Sequence, residues 1–346
     1  MGLKEIGEFG FIRRVTQGCL VRPDGVLKGI GDDAAAFRTA EGRITLLTTD
    51  LLVERVHFIR DRISGFDLGY KSLAVNLSDI AAMGGTPREA FVSIAIPEEV
   101  PLDYLDHLYD GMKSLAQAFS VNILGGDTTG SRRDLVINVA VTGEVPEAEI
   151  LFRHTARTGD IVFITGPLGD SRAGLHLILQ EAAPESPMDR GLIEAHLRPR
   201  PHIHEGRFLA GAGGVHAAID VSDGLSSDLG HIAEASGLGV LLSAAKIPFS
   251  DHLPAFCKRF GFDPVDFALA GGEDYVLVCT VDPARAEDLA KEYRRLFGRI
   301  LYPIGRMNSS GRLEIETREG RIIPFTASGW NHFQAGDPHG NHPGGF

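Results

Sequence analysis

Cysteine is scarce in this chain: Cys19, Cys257 and Cys279 are the only three among 346 residues, widely spaced and without a CxxC pair. That argues against a disulfide framework or a thiolate zinc site and fits a reducing, cytoplasmic setting. No apolar run approaches the roughly 20 residues of a membrane-spanning helix. The opening MGLKEIGEFGFIRR mixes charges into a short apolar pattern and lacks a signal-peptide core. Basic residues are outnumbered, 34 Lys and Arg against 46 Asp and Glu, for a net charge of −12. A nucleic-acid partner, which calls for a basic stripe, is therefore not expected. No GxxxxGKS or GxxxxGKT sequence occurs, which excludes a P-loop nucleotide site. Tryptophan appears once, at Trp330. What remains is ordinary for a soluble globular protein, 43% hydrophobic and 23% charged, and long enough for two domains.

The most unusual stretch is Tyr70–Gly85, YKSLAVNLSDIAAMGG. Placed on a helix, Ser72, Asn76 and Asp79 fall on one narrow stripe, while Leu73, Val75, Leu77, Ile80 and several alanines cover most of the rest. A solvated face would carry Lys and Glu; this stripe carries only short oxygen-bearing side chains. An acid in an otherwise apolar helix needs a cation, a donor or a ligand to offset its desolvation. Asp79 is thus expected to point into a site, although a short polar face beside a loop would look the same.

Around this helix the chain reads as mixed strands and helices. Glu5–Cys19 is an amphipathic helix, followed by strands at Ala34–Phe37, Ile44–Thr49 and Leu51–Phe58. The central helix stops at Gly84-Gly-Thr-Pro87. Strand Glu89–Ile96, helix Leu102–Phe119, a short buried strand Val121–Leu124 ending in a GGDTTG loop, and strand Leu135–Val145 complete the first half. Pro146–Thr158 reads as the crossing, dividing the chain into residues 1–147 and 148–334 with a disordered tail at 335–346. The second half offers strands at Asp160–Thr165, Val215–Val221 and Tyr275–Thr280, with further strands near Ile300–Ile304, Leu313–Thr317 and Ile322–Phe325. Its helices are Ser171–Ala183, Leu225–Ala235 and Ala284–Phe297. The fold class is therefore two-domain α/β and α+β.

Seven short acidic turns recur: Gly31-Asp-Asp33, Thr48-Thr-Asp50, Ser78-Asp79, Gly126-Asp127, Gly169-Asp170, Asp220-Val-Ser-Asp223 and Gly272-Glu-Asp274. Taken singly, each is an ordinary N-cap or Gly-Asp turn. Taken together, carboxylates flanked by hydroxyls are what a hard cation such as magnesium accepts. At 220–224 a strand feeds a helix, so free backbone N–H groups near Gly224 are expected to meet a phosphate oxygen. Metal and phosphate so placed suit phosphoryl transfer. Gly29-Ile-Gly-Asp-Asp-Ala34 mimics a dinucleotide fingerprint, but no apolar strand precedes it and two acids would repel a pyrophosphate. His196, His202 and His204 sit in a proline-broken segment and read as structural rather than zinc ligands. By spacing alone, His57 reads as a core or rim histidine and Trp330 as a packing anchor.

In order, GIGDDAA, TTDLLVERVHF, YKSLAVNLSDIAAMGG, LGGDTT, DVSDGLSSDLGHI and GGEDY resemble the thiamine-monophosphate kinases, of the aminoimidazole-ribonucleotide-synthetase-like superfamily. The resemblance spans Gly7-Glu-Phe9 to Trp330-Asn-His-Phe333, nearly the whole chain. It implies an N-terminal α/β domain whose mixed sheet builds a shared barrel in a homodimer, and a C-terminal α+β domain, with ATP in the cleft between. It implies a magnesium shell of Asp33, Thr48, Thr49, Asp50, Asp79, Asp127, Asp220 and Asp223. Nucleotide contacts would come from Tyr109, Gly126, Asp127, Arg153 and Ser222. His57, Glu273 and Trp330 are similar to the residues that hold thiamine monophosphate, Trp330 stacking on a ring and Glu273 facing the cationic or amino-bearing part. The implied reaction is direct in-line transfer of the γ-phosphate of ATP, giving thiamine diphosphate and ADP without a covalent intermediate or an obligatory side-chain base.

One departure is visible: His202 stands where the family often has Arg, after the second proline of Leu197-Arg-Pro-Arg-Pro. Within the superfamily, the synthetase itself would share the metal carboxylates. Selenophosphate synthetase would want a reactive cysteine in a Gly-rich loop near the start, and the hydrogenase-maturation dehydratase a terminal cysteine; the chain has neither. A non-catalytic cation- or nucleotide-binding module is the alternative from another class.

Overall fold

Inward and outward side chains alternate without a break along RITLLTTDLLV, and these residues form one strand of 11 residues, Arg43–Val53. Two consecutive strands were expected there, because Asp50 reads as a turn residue. In the computed structural model the ladder continues from Arg43 opposite Pro146 to Val53 opposite Val136 without a break. The structure describes residues 22–180 and 186–326, together with Gly10, Ile12, Val15, Thr16, Leu20 and Pro184. Most of the helix expected at 5–19, with Cys19, and Trp330 and the tail at 335–346 lie outside the described residues.

The first sheet contains β1 (Val26–Lys28), β2 (Ala35–Ala40), β3 (Arg43–Val53), β4 (Thr86–Pro97), β5 (Asn122–Ser131) and β6 (Val136–Pro146), in the order β1-β2-β3-β6-β4-β5. Only the β4–β5 pair is parallel, so the sheet is mixed as expected. β5 differs from expectation. The sequence GGDTTG is not a loop after a buried strand; it continues β5 as an edge strand with both faces open. Glycine content argued for a turn, but the ladder to β4, with Ser93 opposite Asp127, satisfies the backbone instead. Leu47, Leu51, Phe91 and Leu124 leave the outer side of this sheet apolar and exposed.

Helices α1 (Gly65–Ala82) and α2 (Leu102–Phe119) cover the inner face. The Ser64 hydroxyl accepts the Asp67 N–H at 3.1 Å and starts α1. α1 is buried over 14 of its 18 residues, because it packs on α2, on β3 and β6, and on elements of the second half. α1 and α2 cross at backbone contact. A Cβ on Gly69 would collide with the Leu108 carbonyl, and one on Gly111 with the Phe66 carbonyl.

The second half begins with β7 (Ile161–Ile164) and the helices α3 (Asp170–Leu179), α4 (Pro187–Leu197) and α5 (Ile203–Gly211). β8 (Val215–Asp220) leads into α6 (Leu225–Ser236), which Gly237 ends as expected. Then come β9 (Gly239–Ser243), α7 (Leu253–Phe260), α8 (Pro264–Ala270), β10 (Leu277–Val281), α9 (Ala286–Phe297), β11 (Tyr302–Asn308), β12 (Leu313–Glu316) and β13 (Ile322–Pro324). Its strands form a second mixed sheet, β13-β12-β9-β11-β7-β10-β8. One apolar core joins the halves: Leu73, Leu77 and Ile80 of α1 belong to the same buried cluster as Phe163, Leu277 and Tyr293.

The glycine crossing can be tested directly. Gly69→Ala forces a methyl into the Leu108 carbonyl and is expected to destabilise the protein by about 1–3 kcal/mol, read as a lower urea midpoint. An unchanged midpoint would contradict the backbone contact.

Candidate active site

Asp33 lies in the loop between β1 and β2, Asp79 in the last turn of α1, and Asp220 at the end of β8. Folding brings one carboxylate oxygen from each within 4.8 Å of the others. Hydroxyls aim two of these acids. Thr48 Oγ1, inward on β3, donates to Asp79 Oδ2. Ser78 Oγ donates to Asp220 Oδ2 at 2.5 Å, across the junction between the halves. Asp50 follows Thr48 on β3, and its backbone N–H donates to Asn76 Oδ1 at 3.1 Å. The Ser72–Asn76–Asp79 stripe thus faces β3 at Asn76 and Asp79, while the Ser72 hydroxyl bonds back to Leu68 O.

Burial raises the carboxyls of Asp50, Asp79 and Asp220 above the ordinary value. The Asp50 carboxyl is pushed up to about 6 by burial. Asp220 is pushed up to about 8 by burial and then by Asp33. Asp79 is lifted well above the ordinary value, first by burial and then by Asp50, Asp220 and Asp33. Such a group of acids binds either protons or a cation. Its donors are all oxygens, the set a hard divalent ion such as magnesium takes.

Arg153 is the cation already present. Its Nη2 and Nε reach Asp33 at 2.5 and 3.2 Å, and its backbone N–H donates to Asp32 Oδ2 at 3.3 Å. Lys28 stands 3.6 Å from Asp32. Asp223 and Asp228 form a second acidic group with His231. Here one expectation fails. The backbone N–H groups of Asp223 and Gly224 are not free for a phosphate, because both donate to Asp228 Oδ2, at 3.2 and 3.0 Å. The helix start is capped by its own acid four residues on.

A cavity of about 400 Å³ opens beside the acids. Asp50, His57, Ser222, Asp223 and Glu273 line it together with an apolar wall that includes Leu52, Val56 and Phe58. His57 Nδ1 accepts the Val53 N–H at 3.0 Å. Glu273 reaches Lys71 Nζ at 2.9 Å and His196 Nδ1 at 3.3 Å. Burial would raise the Glu273 carboxyl, but Lys71 beside it holds it below the usual value. His196 is pushed down to about 3, by burial and by Lys71, and is neutral.

Some expected site residues are not brought here within one chain. The Thr49 side chain points to the outer face, where Asn138 Nδ2 donates to its Oγ1 at 2.8 Å. Gly126 and Asp127 lie on β5. The row Asp127–Ser93–Asn138–Leu51 crosses three strand gaps, roughly 14 Å at ordinary strand spacing. Tyr109 is half-buried on α2 and packs against the core behind the sheet. Trp330 lies outside the described residues.

Known proteins resemble this arrangement along the whole chain. Residues 31–145 match the AIR synthase related protein N-terminal domain, and residues 157–318 its C-terminal domain. A thiamine-monophosphate kinase of Aquifex aeolicus is 35% identical over 96% of this chain and 100% of its own length. One from Bacillus subtilis is 37% identical over 94% of this chain and 99% of its own. This chain belongs to the thiamine-monophosphate kinase family. A solved structure, AaThiL complexed with AMPPCP and TMP, superposes with a TM-score of 0.84 at 35% identity, covering 96% of this chain and 99% of that one.

Within this thiamine-monophosphate kinase fold, several residues at the site escape a reading by sequence. Ser78 lies off the Asp79 stripe, yet it bonds Asp220. Lys71 looks like a surface lysine, yet its side chain is only 1% exposed. Asp228 was visible as an acid three residues into a helix, the position where a carboxylate serves the helix start. His202 is buried and pairs its Nδ1 with Thr165 Oγ1 at 2.7 Å, neutral at about 4 through burial.

The acid group sets a pH dependence. Asp50, Asp79 and Asp220 have folded-state values above the ordinary 3.8, so between about pH 4 and 8 these groups hold more protons in the folded chain than in the unfolded one, partly offset below about pH 6.5 by His196 and His202, which are pushed down. Stability without metal therefore falls as pH rises through that window. In chelator, the melting midpoint is expected to drop from about pH 5 to 8, magnesium should restore it, and Asp79→Asn should raise it at pH 8 by ~2–4 °C for each kcal/mol relieved. A metal-free midpoint that does not fall with pH would contradict the buried acid group.

Proposed function

We propose that this chain transfers the γ-phosphoryl group of ATP directly to thiamine monophosphate, giving thiamine diphosphate and ADP. The observation that carries this reading is the meeting of Asp33, Asp79 and Asp220 from both halves beside a cavity large enough for a small ligand. The names of the relatives and the AMPPCP and TMP held by AaThiL support it. Magnesium, when bound, would neutralise carboxylate and phosphate charge and stabilise the transferring group.

The chain's own residues do the positioning. Asp33, Asp50, Asp79, Asp220 and Asp223 would hold the metal, with Thr48 and Ser78 fixing two carboxylates by hydrogen bonds. Arg153 anchors Asp33 and would meet phosphate oxygens only with the guanidinium N–H groups that Asp33 leaves over, while Ser222 lies on the cavity wall. His57 and Glu273 face the same cavity and would take the thiamine end, with Trp330 stacking on a ring. The acceptor is itself a phosphate with a second pKa near ~6, so no side-chain base is assigned. Residues 1–147 would form the domain that supplies most of the metal ligands and 148–334 the second domain, from which Arg153, Asp220, Ser222 and Asp223 reach the same site, in a cytoplasmic enzyme.

Asp127, Gly126, Thr49 and Tyr109 fit this reading through a second copy of the chain. β5 is an open edge strand and the outer face of its sheet is apolar, a surface that pairs readily with another strand. In a homodimer with a shared barrel, β5 of one copy would bring Asp127 to the acids of the other.

Incubation with ATP, magnesium and thiamine monophosphate is expected to yield thiamine diphosphate, and free thiamine should yield nothing. Asp79→Asn and Asp127→Asn should each lower turnover by at least ~100-fold while remaining folded by circular dichroism. If Asp127 acts across the dimer, mixing the two inactive variants restores activity. Half the dimers are then mixed with one intact site each, giving about a quarter of the wild-type rate. No recovery on mixing would place Asp127 in its own chain's site or outside catalysis.

A further inference from the structure

Glu273 holds a left-handed backbone conformation, φ +62°, and Tyr275 does the same at φ +49°. Residues with side chains rarely adopt this region, and they remain there only when their surroundings over-determine them. The surroundings are specific. The Glu273 N–H donates to Ser222 O at 2.7 Å and the Tyr275 N–H to Val221 O at 2.9 Å. Between them, the Asp274 carboxylate accepts the N–H groups of Gly169 and Ser171 at the start of α3, at 2.8 and 3.3 Å. This strained loop presents the Glu273 carboxylate to two side chains from different elements, Lys71 on α1 and His196 on α4.

Donor and acceptor roles in that group follow from chemistry. Lys71 Nζ lies 2.9 Å from Glu273 Oε1 and 3.3 Å from His196 Nε2. An ammonium only donates, so His196 Nε2 accepts and the ring proton sits on Nδ1. Nδ1 lies 3.0 Å from Ser171 Oγ and 3.3 Å from Glu273 Oε2. Glu273 Oε1 is therefore held by the Lys71 ammonium, while Oε2 lies beside the imidazole edge whose Nδ1 pairs with Ser171. Exposure is uneven: Lys71 is 1% and His196 7% open, whereas Glu273 is 28% open. All three residues border the cavity, but nearly all of the open surface among them belongs to the Glu273 side chain. A lysine meant to grip a phosphate would be arranged the other way round.

We propose that Lys71, oriented by His196, is a positioning residue for the thiamine substrate: it fixes the Glu273 carboxylate in one orientation for the amino-bearing or cationic part of that substrate. Lys71 thereby sets affinity for thiamine monophosphate without taking part in phosphoryl transfer. This rests on the functional reading above, in which Glu273 meets the thiamine end.

The test is a double-mutant cycle on steady-state kinetics with Lys71→Met, Glu273→Gln and the two combined. Each single variant is expected to raise KM for thiamine monophosphate by about tenfold or more, with kcat and KM for ATP within about twofold. The combined variant should be no worse than Glu273→Gln alone, since a residue acting through another loses its effect once that partner is gone. Multiplying effects in the combined variant, or a change confined to kcat or to KM for ATP, would overturn the proposal. If Lys71→Met fails to fold, because it strands a buried carboxylate, the combined variant removes both charges and its comparison with Glu273→Gln decides alone. A wild-type chain that makes no thiamine diphosphate overturns the functional reading and this proposal with it. Wild-type turnover with an unaltered KM in Lys71→Met overturns only the proposal.

Discussion

Carboxylates gathered in the interior repel one another, and that repulsion shapes the rest of this structure. Two such charges ~4 Å apart cost roughly 4 kcal/mol at an effective dielectric of 20, before any loss of hydration. Asp33, Asp79 and Asp220 bring one oxygen each within 4.8 Å of the others, largely out of reach of screening water. The fold surrounds them with what relieves the repulsion: the Thr48 and Ser78 hydroxyls, and the Arg153 guanidinium. What the residues leave unbalanced, a divalent cation and its phosphates can balance. Stability is lowered locally so that ligand binding has something to relieve.

The placement of α1 follows from the same constraint. An acid can be held in the interior only by an element that is itself immobile, and α1 is enclosed by the first sheet, by α2 and by the second half. Its glycine crossing with α2 brings backbone against backbone, which fixes the height of Asp79 over β3. β3 then supplies Thr48 and Asp50 from one face by simple alternation.

Much of this was legible beforehand where a local pattern decided it. The apolar wrap around Asp79 announced a buried acid, and the strong amphipathic pattern at Leu102–Phe119 fixed both ends of α2. Where long-range pairing overrode local composition, the reading failed. Asp50 and the Gly-rich GGDTTG look like turns, yet strand partners absorb both. The N–H groups at Gly224 look available in sequence, yet Asp228, in the first turn of the helix that follows, takes both. Lys71 could not be assigned from its neighbours in sequence, since everything that explains it comes from α4 and from the loop at Glu273.

The apolar cluster that runs from α1 into Phe163, Leu277 and Tyr293 carries a further implication. Excising either half at the crossing would bare an interior surface, even though the second half keeps a separate apolar cluster around Val162, Ile219 and Val278. Loss of order in the first half would therefore expose one side of the second. Recombination that exchanged one half alone would have to match the packing of the other, residue against residue.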